Sequence, residues 1–340
     1  MPIDILFLGG TSIDLIQDKR YKKGQRKFIG GSITNSAVIA AKLGLKTAML
    51  SRIGADPLGD FAVKFLASCR VNTKGVIQDP AIRTPRAIAN IDRSGNSTYT
   101  FYKNPPEQSN VPLKSVPRDL LKGLKIFHFG SSFSHQNPTS HEALKYVKYL
   151  KKKRVFISFD PNLRPYAVKD KKGVKNRVLG LLKWVDLAKL SETDLRFLTG
   201  QRNLEKGLRR LKKQFRCKVV VTLGSKGCAY LDQPPLLRGD QKTGALRSEA
   251  SPLRPRSEAS NLIKLPAFKI KVSDTIGAGD AFTAGLLYKI TKIGERQVFS
   301  NIKPHLTFAS AVSAIICAKP GASHALKGLG QVEKFLQYQN

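Results

Sequence analysis

Residues 30–60 read GGSITNSAVIAAKLGLKTAMLSRIGADPLGD and hold several signals in one run. A glycine pair opens a segment of helical periodicity, SITNSAVIAAKLG, and the strand-like TAMLSRIG follows it. A second turn, IGADPLGD (53–60), then leads into another helical segment, LGDFAVKFLASC (58–69). Outward from this run, IDILFLGG (3–10) is an apolar strand pattern. The alternation returns in KIFHFG (125–130), PTSHEALKYVKYL (138–150), RVFISFD (154–160), GVKNRVLGLLKWV (173–185) and LAKLS (187–191). Apolar strands separated by helices predict an α/β fold, with a mostly parallel sheet covered on both faces. Ligands of such sheets bind beyond the carboxyl ends of the strands, which directs attention to the residues that follow each strand.

Two segments break the alternation. RAIANIDRSGNSTYTFYKNP (86–105) reads as two extended runs joined at RSGN, with residues 15–29 as a source of a partner strand. A small sheet of this kind beside a cleft can act as a lid. QPPLLRGDQKTGALRSEASPLRPRSEASN (233–261) is rich in Pro, Ser and Arg and repeats RSEAS; it reads as a flexible surface insertion between strands of a single domain, 1–340.

The chain has 340 residues, 41% of them hydrophobic, enough for a sizeable core. Its start lacks the basic segment and cleavage site of a signal peptide, and no apolar run approaches the ~18 residues of a membrane span. These features predict a soluble, cytoplasmic protein with no membrane partner. Cys69, Cys217, Cys228 and Cys317 form no C-x-x-C pair, and the five histidines show no metal-ligand spacing, so the thiols read as buried packing residues. The charge is extreme, 59 Lys+Arg against 24 Asp+Glu for a net +35. Much of it lies in KYVKYLKKKR (145–154), KDKKGVKNR (169–177) and KGLRRLKKQFRCK (206–218), read as solvated helix faces. No aromatic residues interleave with them as in a nucleic-acid module, so no specific nucleic-acid partner is expected.

The chemistry concentrates in DTIGAGDAFTAGLLYKI (274–290). Gly277 and Gly279 permit a sharp turn, and the helix that follows offers unpaired N–H groups and a positive dipole end. Asp280 in the first turn is either a base or an acid that satisfies the helix end. Asp14, after the first strand, is either a turn residue or an acceptor for two adjacent hydroxyls. No G-x-x-x-x-G-K-[ST] sequence is present, so any phosphate site is not a P-loop.

The pair formed by residues 30–60 and DTIGAGDAFTAGLLY (274–288), about 240 residues apart in sequence, resembles the N- and C-terminal signatures of the ribokinase-like, PfkB-type carbohydrate kinases. TFYKNP (100–105), KIFHFGSSFS (125–134), ISFDPNLRPY (157–166) and KLSETDLRFLTG (189–200) resemble the fructokinase branch, and VTLGSKGCAY (221–230) resembles the family's nucleotide-binding strand and turn. The resemblance implies a three-layer α/β/α sandwich with a small β-sheet lid, and an ATP-dependent kinase of a small-molecule sugar. It implies Asp280 as general base, with the N–H groups of Gly277, Ala278 and Gly279 as the anion hole. It further implies sugar contacts from Asp14, Gly31 and Asn35. Thr222, Gly224, Lys226 and Gly227, in a T-x-G-x-x-G pattern, would take the nucleotide, with Ser310 and Gly321 of FASAVSAIICAKPGA (308–322) on the adenine side; the small residues there equally suit helix packing.

Lys103 of the lid stands where fructokinases commonly have Arg, and Asn162 and Arg164 of DPNLR are either cleft residues or support for the strand end. Mg2+ would be held by the phosphates and by waters oriented from SETD, where Asp194 replaces the family's Glu. Asp274 matches the acid of a monovalent-cation (K+) site, with Ile276 at a position where Thr is frequent. Fructose is the leading substrate, with 2-keto-3-deoxygluconate or ribose as alternatives. A sugar-kinase-like scaffold that binds nucleic acid is the reading from another class. The apolar lid strands AIANI and YTFY offer an edge for a homodimer.

Overall fold

The computed structural model describes residues 2–18, 25–91, 97–232, 261–319 and 321–339. Among the described residues, fourteen strands form two sheets. They are β1 Ile5–Leu8, β2 Ser12–Asp18, β3 Gln25–Gly30, β4 Thr47–Gly54, β5 Val71–Asn72, β6 Val76–Asp79 and β7 Arg86–Ile91, then β8 Ser97–Tyr102, β9 Ile126–Gly130, β10 Phe156–Asp160, β11 Leu187–Ser191, β12 Lys218–Thr222, β13 Cys228–Leu231 and β14 Leu262–Leu265.

The large sheet runs in the order β14-β13-β12-β11-β10-β9-β1-β4-β5, with β6 also paired to β4. All pairs from β12 to β5 are parallel, and β13 and β14 add an antiparallel edge. Alternate residues of a strand point to opposite faces, so each central strand feeds two cores. Ile5 and Phe7 of β1 join one, and Leu6 and Leu8 join the other. The first core is closed by the helices Ser32–Lys42, Ala278–Ile293, Lys303–Cys317 and Leu329–Gln337, the second by Thr139–Lys152, Lys171–Leu182, Glu192–Thr199 and Leu204–Gln214. This is the three-layer arrangement that the alternation predicts. Each fully buried side chain such as Phe7 or Phe127 contributes about 1.5–3 kcal/mol of apolar burial.

The basic runs fall on the second set of helices. Lys145, Lys148, Lys171, Lys172, Lys206 and Arg210 are exposed, as a solvated face requires. Cys217 and Cys228 are buried, but Cys69 and Cys317 are only half-buried, because each lies at the C-terminal end of a helix. Among the described residues no cluster of three or more His, Cys, Asp or Glu could hold a metal ion, and no helix is long and apolar enough to cross a membrane.

The small sheet has the order β3-β2-β7-β8. Its first strand starts at Ser12, so Asp14 lies within this sheet and not in a turn after β1. Ile13, Leu15 and Ile29 dock it on Ile53 and Ala62, with Ile88 packed alongside. The expected turn at RSGN and residues 233–260 of the expected insertion at 233–261 lie outside the described residues. On either side of the insertion, Leu231 pairs with Leu262 and the Asp232 N–H bonds the Asn261 carbonyl at 3.0 Å.

The second turn of the opening motif is a structural device. Asp56 caps the helix Pro57–Ser68 by accepting from the N–H groups of Leu58 and Gly59, at 3.1 and 2.9 Å. It also accepts from the Thr84 N–H at 2.8 Å and the Thr84 hydroxyl at 2.7 Å, just ahead of β7. One carboxylate thus fixes both a helix start and the root of the small sheet.

Candidate active site

The site forms where the parallel strands end. Gly31 caps the helix Ser32–Lys42 at φ 99°, and a methyl group there would sit 2.3 Å from the Gly10 carbonyl oxygen. Only glycine permits this approach. The helix then presents Ser32, Asn35 and Ser36 on one side, at the i, i+3, i+4 spacing of a helical face.

Gly277, in the left-handed region at φ 80°, starts the helix Ala278–Ile293 with no side-chain cap. The Ala278 N–H bonds the Thr275 carbonyl at 3.2 Å, while the N–H groups of Gly279 and Asp280 have no partner among the described residues. Of the three amides expected to form the anion hole, that of Ala278 is engaged by the turn itself, those of Gly277 and Gly279 have no partner among the described residues, and the Asp280 amide stands beside them. Unpaired amides at the positive end of a helix fit an anionic phosphate group.

Asp280 is 7% exposed. Its Oδ1 accepts from Ser32 Oγ at 2.6 Å and its Oδ2 from Asn35 Nδ2 at 3.1 Å, and Ser36 Oγ donates to its main-chain carbonyl at 3.2 Å. Burial, reinforced by the negative charge of Asp160, pushes its carboxyl up to about 6; the bonds from Ser32 and Asn35 and the charge of Lys189 act the other way. A carboxylate poised near neutral pH can accept a proton from a hydroxyl and release it again. Asn35 Oδ1 is buried and has no hydrogen-bond partner among the described residues.

Asp14 belongs to the same constellation. Its carboxylate lies over Gly30, where a methyl group would approach Oδ1 to 2.8 Å. Burial raises its pKa, Arg164 opposes the shift and Asp274 reinforces it, so these three groups share one field. No side-chain hydrogen bond occupies the Asp14 carboxylate among the described residues. Arg164 is exposed and Asn162 adopts φ 42°, its N–H bonding Asp160 Oδ1 at 3.0 Å, which is a strand-end support. Lys103 is exposed, with its ammonium 5.7 Å from the Phe101 ring.

The residues expected at the nucleotide lie at the end of β12, in the turn after it, and on the helix Lys303–Cys317 and the loop that follows. Thr222 ends β12, and Gly224 and Lys226 form an exposed 3-10 turn. Gly227, at φ 95°, passes so close to the Leu265 carbonyl that no side chain fits. Ser310 Oγ lies 3.9 Å from Cys228 Sγ. Gly321 packs on Phe28 of β3, and a methyl group on Gly277 would meet Ala322 at 2.9 Å, so the C-terminal loop touches both the turn and the small sheet.

Asp194 departs from its expected metal role. Its Oδ1 accepts from the Leu163 N–H at 2.9 Å, and its Oδ2 from the Ser191 N–H and hydroxyl at 2.8 and 2.7 Å, in a capping box that is 1% exposed. A carboxyl so enclosed has no surface for a metal-bound water. Asp274 Oδ1 accepts from the Ile276 N–H at 2.9 Å and so braces the glycine turn.

Three residues escaped the sequence reading. Ser32, inside the first motif, supplies the shorter bond to Asp280. Asp160 and Lys189 form a buried ion pair at 2.6 Å beneath the turn. Their signal was a charge at the inward end of ISFD and another inside the apolar LAKLS.

The profile of the pfkB family carbohydrate kinase matches residues 3–327. The chain belongs to that family. It is an ATP-dependent sugar kinase. It is 27% identical over 310 residues to Fructokinase-1 of Oryza sativa subsp. japonica, covering 91% of this chain and 88% of the rice protein. It is 28% identical over 314 residues to Fructokinase-1 of Zea mays, covering 91% and 88%. Among solved structures, the kinase superposes on the fructokinase of Vibrio cholerae O395, in its form bound to fructose, ADP and calcium ion, with TM-score 0.79 and 27% identity over 98% of this chain and 99% of the other. The aminoimidazole riboside kinase of Salmonella enterica shares the fold, with TM-score 0.77 at 20% identity over 98% and 99% of the two chains.

Proposed function

We propose that this kinase is a fructokinase, transferring the γ-phosphoryl group of ATP to the 6-hydroxyl of D-fructose. The observation that carries the reading is Asp280, a buried carboxylate at the head of an uncapped helix, beside amides with no other partner. Asp280 takes the proton as the sugar oxygen bonds to phosphorus and the bond to the ADP oxygen breaks. The Gly279 and Asp280 N–H groups face the charge that develops on the phosphoryl oxygens, with Gly277 shaping the turn. Asp14 and Asn35 Oδ1 offer acceptors to sugar hydroxyls, Gly31 sets the helix that carries Asn35, and Arg164, Asn162 and Lys103 line the approach. Thr222, Gly224, Lys226, Gly227, Ser310 and Gly321 border the nucleotide.

Mg2+ enters on the ATP phosphates, and no step is assigned to Asp194. Asp274 would be the side chain that serves a K+ site. The chain acts as one domain in the cytoplasm, with the small sheet as lid, and the basic helix faces serve no specific nucleic acid. Strand β8 is an edge of that sheet and exposes Phe101 and Tyr102, at 57% and 45%, a surface suited to a homodimer.

The test is a sugar panel with purified protein, ATP and Mg2+, read as ADP release. Fructose is expected to give the highest kcat/KM. Preference for ribose or 2-keto-3-deoxygluconate would reassign the substrate within the family, and no turnover of any sugar would remove the reading.

A further inference from the structure

Asp160 and Lys189 stand one step beyond the register pair Phe159 and Ala188 of β10 and β11. They are 1% and 6% exposed, and their charged atoms meet at 2.6 Å. Lys189 points to the face of the sheet that packs on Ala278–Ile293, because Leu187, two residues earlier on the same strand, belongs to that core. A methyl group on Gly279 would lie 3.2 Å from Lys189 Nζ. The ammonium therefore rests against the first turn of the helix that begins the GAGD site.

This placement is a poor one for stability alone. The first turn is the positive end of the helix dipole, where a cation is disfavoured. Desolvating two ions is seldom repaid by their attraction, and an apolar pair of similar size often serves the fold as well. What the location offers is charge. Behind the free amides of Gly279 and Asp280, a fixed cation that is itself buried acts on any anion that gathers there.

We propose that Lys189 is a positioning residue for phosphoryl transfer. Its ammonium, clamped by Asp160, is a permanent countercharge behind the anion hole and holds the transferring group and the amide-bearing turn in register. The inference rests on the kinase reading above. Gly279 acquires a second reason to be glycine, since the space a side chain would take is the contact between turn and cation.

The test uses the charge-neutral double variant K189M/D160N, which removes the ammonium without leaving a buried carboxylate unpaired. K189M alone would confuse loss of function with loss of fold. In the double variant kcat is expected to fall by about 100-fold with the sugar KM within about threefold of the unmodified protein. Calorimetry with ADP plus aluminium fluoride, a mimic of the transferring group, is expected to show an affinity loss of similar size, while ADP alone binds as before. A double variant whose kcat and metal-fluoride affinity both stay within about threefold of the unmodified protein would make the pair structural and overturn the proposal. Absence of sugar turnover and of ADP binding in the unmodified protein would instead remove the kinase reading, and this inference with it.

Discussion

Ser32 Oγ donates to Asp280 Oδ1 at 2.6 Å across 248 residues of chain, and this bond ties the two glycine-rich motifs into one site. The helix Ser32–Lys42 holds the carboxylate through Ser32 and Asn35, and the helix Ala278–Ile293 carries it.

Replacing Asp280 with Asn removes the proton acceptor but keeps a side chain of the same shape. A kcat loss of about 10²–10⁴-fold is expected, with sugar KM little changed, checked by steady-state kinetics. Near-normal turnover would take Asp280 out of the base role.

The same residue makes stability depend on pH in a known direction. Its carboxyl is raised from 3.8 to about 6 in the folded state, so the native protein binds more protons than the unfolded chain in that interval. The stability contributed by the protonated group is present below pH 4 and is lost as pH rises through about 6. D280N is therefore expected to be more stable than the unmodified protein at pH 8, by roughly 1–3 kcal/mol, and to lose that advantage near pH 4. Thermal melts at the two pH values decide it. The activity profile follows the same group, with kcat/KM falling below pH 6 as the base is protonated.

Asp56 gives the opposite sign. Its pKa is lowered despite partial burial, by the bonds it accepts from Thr84, Gly59 and Leu58, so its contribution is present above the unfolded value of 3.8 and disappears as pH falls through the depressed one. D56A loses the helix cap and the tie to Thr84 together, an expected cost of about 1–2 kcal/mol at neutral pH. Chemical denaturation at pH 7 measures it, and a change under 0.5 kcal/mol, about the scale of a surface substitution, would assign the cap no weight.

Phe28 of the small sheet touches both Gly321 and His324, its ring centroid 5.2 Å from that of His324. F28A is expected to raise the KM for ATP as well as for the sugar, by about 3–30-fold each, because the small sheet and the C-terminal loop lose their shared contact. A change confined to the sugar would separate the two.

The central sheet was legible because buried strands leave an apolar trace that survives without tertiary knowledge: KIFHFG, FISFD and LAKLS all became adjacent parallel strands. The glycine turn was legible because positive φ at Gly31 and Gly277 and close backbone approach admit one residue type. What stayed hidden depends on which residues meet across strands. Lys189 reads as an ordinary lysine until β10 brings Asp160 beside it, and Asp194 reads as an acid for metal-bound water until Leu163 and Ser191 enclose it. The Ala278 amide needed the Thr275 carbonyl to be seen.

Strand β12 runs toward the site and ends at Thr222, and antiparallel β13 runs back from it, so the pair Leu231 and Leu262 closes the hairpin at the end of the sheet far from Asp280. The described chain leaves after Asp232 and returns at Asn261, where the Asn261 carbonyl accepts from the Asp232 N–H. The same position is a port: foreign sequence can be carried there, on the side of the molecule that the reaction does not face.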